Sequence, residues 1–508
     1  MDIVLIQVPR YKRRPSLRAQ PQLGLGYIAS YLISKGKEVK IIDGELYNYE
    51  LIEIIQLLKT IRPKAVGITT MTEDRFNAIQ LADLIKKESP EVLTIGGGPH
   101  FTYSTTDALI KIPSIDVIVQ NEGEITTYEV LEKFIQTGSL NRFHSINGCA
   151  FRDASNQIIV NNPRGLLKNL DELPSPAWHL FDMDKYNGGL SGISNIRAIG
   201  IISSRGCPSR CSFCANSLNR KVRYRNPVHF VDEAEYLSKR YGFHAINIQD
   251  DSFTASKKQV VGICDEILKR NLKIKWYCSL RINNVQSELL KLMKKAGCIS
   301  LGFGVESGSD RILKTINKEI TTEMVRKSII LAKQIGFDNI SLFFMFSHPG
   351  ETLNDFKLTS DFIRELQEIT TEKKQSKKIV FAVPSFIYPG TDLEKIALNN
   401  GNVFPPNFSW NTYYESPKAA LFRNSYSAYV PYFENPELPL ESILSFVQKY
   451  NIEHFMVAYL KSQIQGLYRR TKEMNTISDF INILIKILKR SIILPLLFFK
   501  YIRNSKKN

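Results

Sequence analysis

The feature that most constrains this chain is an alternation of short apolar runs with helical segments that occurs twice. Between Ile3 and Gly123 the runs "IVLIQVP", "VKIID", "AVGITTM", "VLTIGGG" and "VIVQNEG" are separated by segments such as "GYIASYLISKG" and "FNAIQLADLIKKE", whose apolar residues recur at helical spacing. Wholly apolar strands joined by helices imply a parallel sheet covered on both faces, a doubly wound, Rossmann-like α/β fold. The stretch "GCAFRDASNQIIVNN" reads as a closing hairpin. After a proline-bearing linker the alternation resumes with six strand candidates: "AIGIIS", "AINIQD", "IKWYCSLR", "ISLGFGVE", "ISLFFMF" and "IVFAVPSF". Six βα units are too few for a full eight-stranded barrel and suit a partial (βα)6 TIM-type barrel. The expected division is a doubly wound domain over 1–150, a hairpin and linker over 151–192, a partial barrel over 193–398, and a mainly helical region with a basic amphipathic tail over 399–508.

Composition is that of a globular protein, with 43% hydrophobic and 23% charged residues in 508, enough for more than one core. The N-terminal run lacks the basic leader and cleavage pattern of a signal peptide and reads as a first strand. Seven cysteines, three of them clustered, suit a reducing cytoplasm in which thiolates are held for chemistry rather than paired. The net charge of +17 is concentrated at the end, where Lys461 to Asn508 hold eleven Lys or Arg against Glu473 and Asp479.

In a doubly wound sheet a ligand sits beyond the carboxyl ends of the strands, here the loops "PRYKRRPS", "TMTEDR", "GGPHFT" and "NEGE". Gly96, Gly97 and Gly98 would let a ligand approach the backbone closely, or simply make a tight turn. No G-x-G-x-x-G follows the first strand, so a dinucleotide is a poor fit. In the barrel the same rule selects the cysteine cluster, Asp250 and Asp251, Ser279 and Arg281, Glu306, and His348.

The cluster is "SSRGCPSRCSFCAN", with Cys207, Cys211 and Cys214 directly after the first barrel strand. Zinc normally takes four ligands in paired units, and the next cysteine, Cys264, falls inside a helix candidate. A disulfide would strand one thiol. Three thiolates on one loop can hold three irons of a 4Fe-4S cluster and leave the fourth open to a chelating ligand.

This CxxxCxxC spacing, with Phe213 before the last cysteine and a partial barrel following, resembles the radical S-adenosylmethionine superfamily. Supporting segments are "NIQDDSF", "SLRIN", "GFGVESGSDRILKTINK" and "MFSHPGET". The first domain, through "PQLGLGYIASYLISKG", "IIDG", "GGGPHFT" and "NEGEIT", resembles the cobalamin-binding domain of the cobalamin-dependent members. The D-x-H-x-x-G signature of other cobalamin domains is absent, so no histidine ligand to cobalt is expected from the first βα loop. The resemblance implies that Cys207, Cys211 and Cys214 bind the 4Fe-4S cluster, with Phe213, Asp250, Asp251, Ser279, Arg281 and Glu306 around S-adenosylmethionine. It places Thr70, Met71, Gly96, Gly97, Gly98, Pro99, Glu122, Gly123 and Glu124 around cobalamin. No catalytic acid or base is assigned; His348 would either face substrate or make a structural hydrogen bond.

In that family cobalamin carries a methyl group from one S-adenosylmethionine, and a deoxyadenosyl radical from a second removes a hydrogen atom from an unactivated carbon. The resemblance therefore implies a radical C-methyltransferase, with a radical cyclase or ring-rearranging oxidoreductase as the alternative. A non-catalytic cobalamin or redox sensor would need only the first domain. A methylthiotransferase would carry extra N-terminal cysteines and a basic RNA-binding domain. The implied partners are a small-molecule or lipid-like substrate and a one-electron reductant such as flavodoxin or ferredoxin. No nucleic-acid module is recognisable. Tyr388, Trp410 and Tyr413 are substrate-lining candidates by position. In the tail "FINILIKILKRSIILPLLFFKYIRNSKKN" the longest apolar run, Ile492 to Phe499, is too short to span a bilayer, and a basic apolar helix of this kind would lie on the inner membrane face or pack on the barrel.

Overall fold

The computed structural model describes residues 1–444 except 11–19, 187, 191–192, 216–219, 338, 371–379, 402, 406 and 417–428. The first sheet contains β1 (Ile3–Gln7), β2 (Val39–Asp43), β3 (Ala65–Thr69), β4 (Leu93–Gly97), β5 (Val117–Val119), β6 (Cys149–Arg152) and β7 (Ile158–Val160). Its order is β2-β1-β3-β4-β5-β6-β7, with the first five strands parallel and the β6–β7 hairpin antiparallel at one edge. Helices cover the sheet because its strands are largely apolar: Val4, Ile6, Val66, Ile68 and Ile118 all belong to one buried core. Each such side chain contributes about 1.5–3 kcal/mol on burial.

The second sheet begins with β8 (Gly188–Leu190) and β9 (Ile193–Ile201) and is interrupted by a short hairpin, β10 (Ser204–Arg205) with β11 (Arg223–Tyr224). It continues with β12 (Ala245–Ile248), β13 (Lys275–Leu280), β14 (Cys298–Glu306), β15 (Asn339–Phe346) and β16 (Val380–Pro384). The order β16-β15-β14-β13-β12-β9-β8 gives six parallel strands with one antiparallel strand at the edge, the expected partial barrel. Helices between the strands start at polar caps: Asn226, Ser256 and Thr321 each accept a backbone N–H in the first turn. Such a cap contributes about 1 kcal/mol. Glycines on the barrel's inner face make room for polar groups, since a Cβ on Gly200 would strike Gln249 and one on Gly302 would lie 2.2 Å from the Tyr277 hydroxyl.

β8 and the first half of β9 have no counterpart in the apolar pattern. The proline-bearing linker is irregular, as its sequence suggests, but it is packed. Trp178 and Tyr186 are buried, Trp178 Nε1 donates to Glu233 (3.0 Å) in the first barrel helix, and the Tyr186 hydroxyl donates to Asp43 (2.5 Å) at the end of β2. Residues 399–444 are irregular over most of their described length, and the expected basic tail lies outside the described residues. Among the described residues no helix is long and apolar enough to cross a membrane.

A buried ionic network also joins the two sheets. Arg205 on β10 pairs with Glu122 (3.0 Å), the N-cap of the helix Gly123–Thr137 after β5, and with Glu124 (2.7 Å) in its first turn, and Arg223 on β11 pairs with Glu122 (2.7 Å). Arg205, Arg223 and Glu124 are at most 7% exposed. Replacing Arg205 with Met leaves Glu124 buried without this partner and is expected to cost about 3–5 kcal/mol in urea unfolding. A loss no greater than that of a surface substitution would show that the network does not hold the sheets together.

Candidate functional site

A cavity of about 320 Å³ opens where the carboxyl ends of the first sheet meet the start of the barrel. Its floor is apolar, with Leu5, Ile95 and Val119 from the sheet facing Leu25 and Ile28 of the helix Leu23–Ser34. The rim is largely backbone. Gly98 has φ +90°, and a Cβ there would lie 2.7 Å from Thr69 Oγ1, so the position requires glycine. A Cβ on Gly97 would meet only the Val119 carbonyl, at 3.9 Å, so this residue leaves open space.

Thr70, Met71, Pro99, Gly123, Glu122 and Glu124 also line the cavity, although both glutamates are already held by arginines. Burial opposes ionisation of Glu122, but hydrogen bonds from Arg223 and Arg205 outweigh it and keep the carboxyl below its ordinary value. Gly96 does not face the cavity. A Cβ there would meet Phe101 and Ile115 behind the sheet, as expected when successive strand residues point to opposite faces. The barrel contributes Ile202, Ser204, Arg205, Gln249 and Asp251 to the same cavity.

Cys207, Cys211 and Cys214 sit on the loop that leaves β10 and returns at β11, and all three are thiols outside any disulfide. The Cys214 thiol is pushed up to about 11 by burial and by the neighbouring Cys211, Asp251 and Cys207. Arg281, just after β13, lies against the loop: Nη1 is 3.6 Å from Cys211 Sγ, and Nη2 donates to the Lys318 carbonyl (2.8 Å). Lys318 Nζ reaches over the Phe213 ring, 6.0 Å from its centre, and pairs with Glu306 at 2.7 Å. Glu306 holds a left-handed backbone conformation, φ 70°, at the end of β14. Ser279 hydrogen-bonds Tyr277 across the inner face (3.0 Å).

The two adjacent aspartates have different surroundings. Asp250 is buried and accepts three bonds of 2.6 Å, from Ser203 N, Ser203 Oγ and Ser204 Oγ, which fix the end of β9. Asp251 faces the cavity, and burial raises its carboxyl pKa against a bond from the Gly206 N–H. Only the second is placed to meet a ligand.

These residues can be tested against the two expected cofactors. Among the described residues no three His, Cys, Asp or Glu converge around a single ion. A 4Fe-4S cubane instead takes one thiolate at each of three corners. Three thiols on one loop beside Arg281 and Lys318 suit that anionic cluster, and metal coordination removes the cost of ionising a crowded thiol. The glycine rim and apolar floor suit a large flat macrocycle with an apolar appendage. No described lining residue offers cobalt an imidazole or a thiolate. His100, in the short helix Pro99–Tyr103 after β4, is wholly buried, with its ring nitrogens at Thr72 (3.2 Å) and Asn411 (3.1 Å), and burial lowers its pKa to about 3.

His348 is also enclosed: Nδ1 bonds Ser385 Oγ (2.9 Å), and burial lowers its pKa to about 4. Its other ring nitrogen, Nε2, is buried without a hydrogen-bond partner among the described residues. The lining candidates by position lie elsewhere. Tyr388 donates to Glu73 (2.8 Å), Trp410 is buried, and Tyr413 stacks near Phe76; none lines the cavity. Sequence reasoning did not single out Arg205, Arg223 or Lys318. Arg205 and Lys318 stand inside quoted motifs, but their partners cannot be read from the motif alone.

The scan of family models matches "B12 binding domain" at residues 18–131 and "Radical SAM superfamily" at 201–363. An uncharacterized methyltransferase of Pyrococcus horikoshii, PH0819, is 30% identical over 462 residues, covering 88% of this chain and 94% of the relative. An anaerobic magnesium-protoporphyrin IX monomethyl ester cyclase of Rubrivivax gelatinosus is 28% identical, covering 67% and 62%. The solved cobalamin-dependent S-adenosylmethionine radical enzyme OxsB, with aqua-cobalamin and S-adenosylmethionine bound, superimposes with a TM-score of 0.72 at 18% identity, covering 96% of this chain and 71% of that one.

The chain belongs to the cobalamin-dependent radical S-adenosylmethionine enzymes. Its cofactors are a 4Fe-4S cluster, S-adenosylmethionine and cobalamin, with an external reductant and a small-molecule substrate.

The turn beside His348 provides a test of the site's electrostatics. Glu351 is buried, its Oε2 accepts from His348 N (2.9 Å), and burial pushes its carboxyl from 4.5 up to about 7. The unfolded chain loses this proton first, so the contribution to stability is full below pH 4.5 and is lost as pH rises through about 7. Glu351→Gln keeps an acceptor without the charge. Its stability relative to the parent should improve by about 3 kcal/mol between those limits. Parallel urea titrations check this, and a constant difference across the range would contradict the burial.

Proposed function

We propose that the protein is a radical C-methyltransferase that acts at an unactivated carbon of a small molecule held between its two cofactor sites. The observation that carries the reading is a shared cavity: the glycine rim of the first sheet and Asp251 of the barrel line the same space. When bound, the cluster with S-adenosylmethionine supplies a deoxyadenosyl radical, and cobalamin supplies the methyl group.

The residues of the chain have distinct parts in this reading. Cys207, Cys211 and Cys214 hold the cluster, while Arg281 and Lys318 set positive charge beside it. Glu306 orients Lys318, with Phe213 beneath the ammonium. Asp250 braces the end of β9 through Ser203 and Ser204. Asp251 faces the substrate space, and Ser279 lines the barrel's inner face. Gly97, Gly98, Pro99, Thr70, Met71 and Gly123 form the cobalamin rim. Glu122 and Glu124 act through Arg205 and Arg223, closing the wall between cavity and cysteine loop. Excluding water and aligning the reacting groups is the protein's main contribution to such chemistry.

The methyltransferase name of the Pyrococcus relative supports this reading, and the Rubrivivax cyclase supports the second, ring formation without net methyl transfer. Reconstituted enzyme supplied with methyl-labelled S-adenosylmethionine, reductant and a small-molecule extract separates them. Methyl transfer puts label into a product; deoxyadenosine with only unlabelled product would overturn it in favour of cyclisation. Changing any one of the three cysteines to Ala should remove deoxyadenosine formation and the cluster's visible absorption together, and retained turnover in any of them would defeat the cluster assignment.

Composition alone supports a lipid-like substrate reached through the basic tail. Full-length protein should then sediment with anionic liposomes and a form lacking 477–508 should not. Equal sedimentation of both removes the idea.

A further inference from the structure

The segment 408–414 crosses from the barrel to the first domain and is bonded on both sides. On the first-domain side, Arg75 Nε donates to the Trp410 carbonyl (2.6 Å), and Ser409 Oγ donates to Asp107 (2.8 Å). Asn411 bridges two partners: its Nδ2 donates to Asp107 (2.7 Å) and its Oδ1 meets His100 Nε2 (3.1 Å). Arg75 and His100 are fully buried, and Trp410 and Asn411 are 7% exposed. Arg75 and His100 follow directly from the loops after β3 and β4, the loops whose Thr70, Met71, Gly98 and Pro99 line the cavity.

On the barrel side, Trp410 Nε1 donates to Glu394 (2.5 Å) in the helix Asp392–Asn400. The first turn of that helix touches the cysteine loop, since Leu393 N donates to the Ser212 carbonyl (2.9 Å). Phe213 packs on the cluster formed by Ile387, Leu393, Trp410 and Phe433. Ser212 and Phe213 are the two residues between Cys211 and Cys214. A continuous path therefore runs from the cavity rim through Asn411 and Trp410 to the cysteines, separate from the Arg205 network on the other side of the cleft.

We propose that 409–411 is a strap that sets the separation of the two cofactor sites, with Asn411 as its positioning residue on the cobalamin side and Trp410 on the cluster side. The inference rests on the two-cofactor reading. Its physical basis is that transfer between two bound reactants is steeply sensitive to spacing, an error of about 1 Å costing about 100-fold. Asn411 can act only through the loops it holds, because it does not line the cavity.

The experiment uses full-length enzyme loaded with both cofactors, each reduced by one electron, cob(III)alamin to cob(II)alamin and the 2+ cluster to its 1+ state, so that both are paramagnetic. Pulsed electron resonance then reads the dipolar coupling between cobalt and cluster, with metal contents measured on the same samples. Asn411→Ala and, from the opposite partner, Asp107→Ala should keep cobalt and iron at parental stoichiometry while the single parental coupling spreads into a broad distribution. An unchanged coupling in both variants overturns the strap. Loss of cobalamin from both also overturns it, since the contacts would then serve only the first domain. A parent protein that takes up no cobalamin would overturn the two-cofactor reading itself, and the inference with it.

Discussion

Two carboxylates that line a cavity, buried Glu124 and half-buried Glu122, meet the two buried guanidiniums that neutralise them. The rest of the structure depends on this exchange. Desolvating a charge is costly, and the attraction inside a protein repays it only when geometry and hydrogen bonding are good. The glutamates belong to the N-terminus of the helix that follows β5 of the first sheet. The arginines belong to β10 and β11, the hairpin at the base of the cysteine loop. One network therefore fixes a wall of the cavity and the root of the cysteine loop at once. Arg205 also lies over the Tyr27 ring, 4.8 Å from its centre, which ties in the first helix as well.

Charge has a second use on the far side of the cysteines. Arg281 and Lys318 face the loop from β13 and from the segment after β14, and each is held by something other than a ligand. Arg281 is bonded to the Lys318 carbonyl, and Lys318 to Glu306. The positive charge beside the thiols is thus fixed in place before any cofactor arrives. Preorganised charge of this kind does not have to reorient during the reaction.

Much of this was legible in the chain. Continuous apolar runs gave away the eleven parallel strands, because a strand buried on both faces is written as a near-continuous apolar run. β8 and the start of β9 were not legible, since "GGL" and "ISN" carry neither an apolar run nor a clean alternation, and they form a strand pair only against each other. Among the site residues, position was readable and occupation was not. Asp250 stands at a strand end as expected, yet its carboxylate is committed to two serines. Gly96 and Gly97 look equivalent in a run of three glycines, and only their opposite faces on the strand distinguish them. Arg205 and Lys318 stood in quoted motifs, but a motif names a residue and not its partner. His100 and Asn411 meet across 311 residues of sequence, a contact only folding reveals.

The central claim is that one cavity presents cobalamin and a three-cysteine cluster to the same substrate. Anomalous diffraction at the cobalt and iron edges, from crystals of the enzyme loaded with both cofactors, tests it most directly. The account requires a cobalt peak above the Gly97–Gly98 rim and an iron peak on the loop of Cys207, Cys211 and Cys214, facing one another across the space beside Asp251. Cobalt outside that rim, or iron on another set of residues, would contradict it.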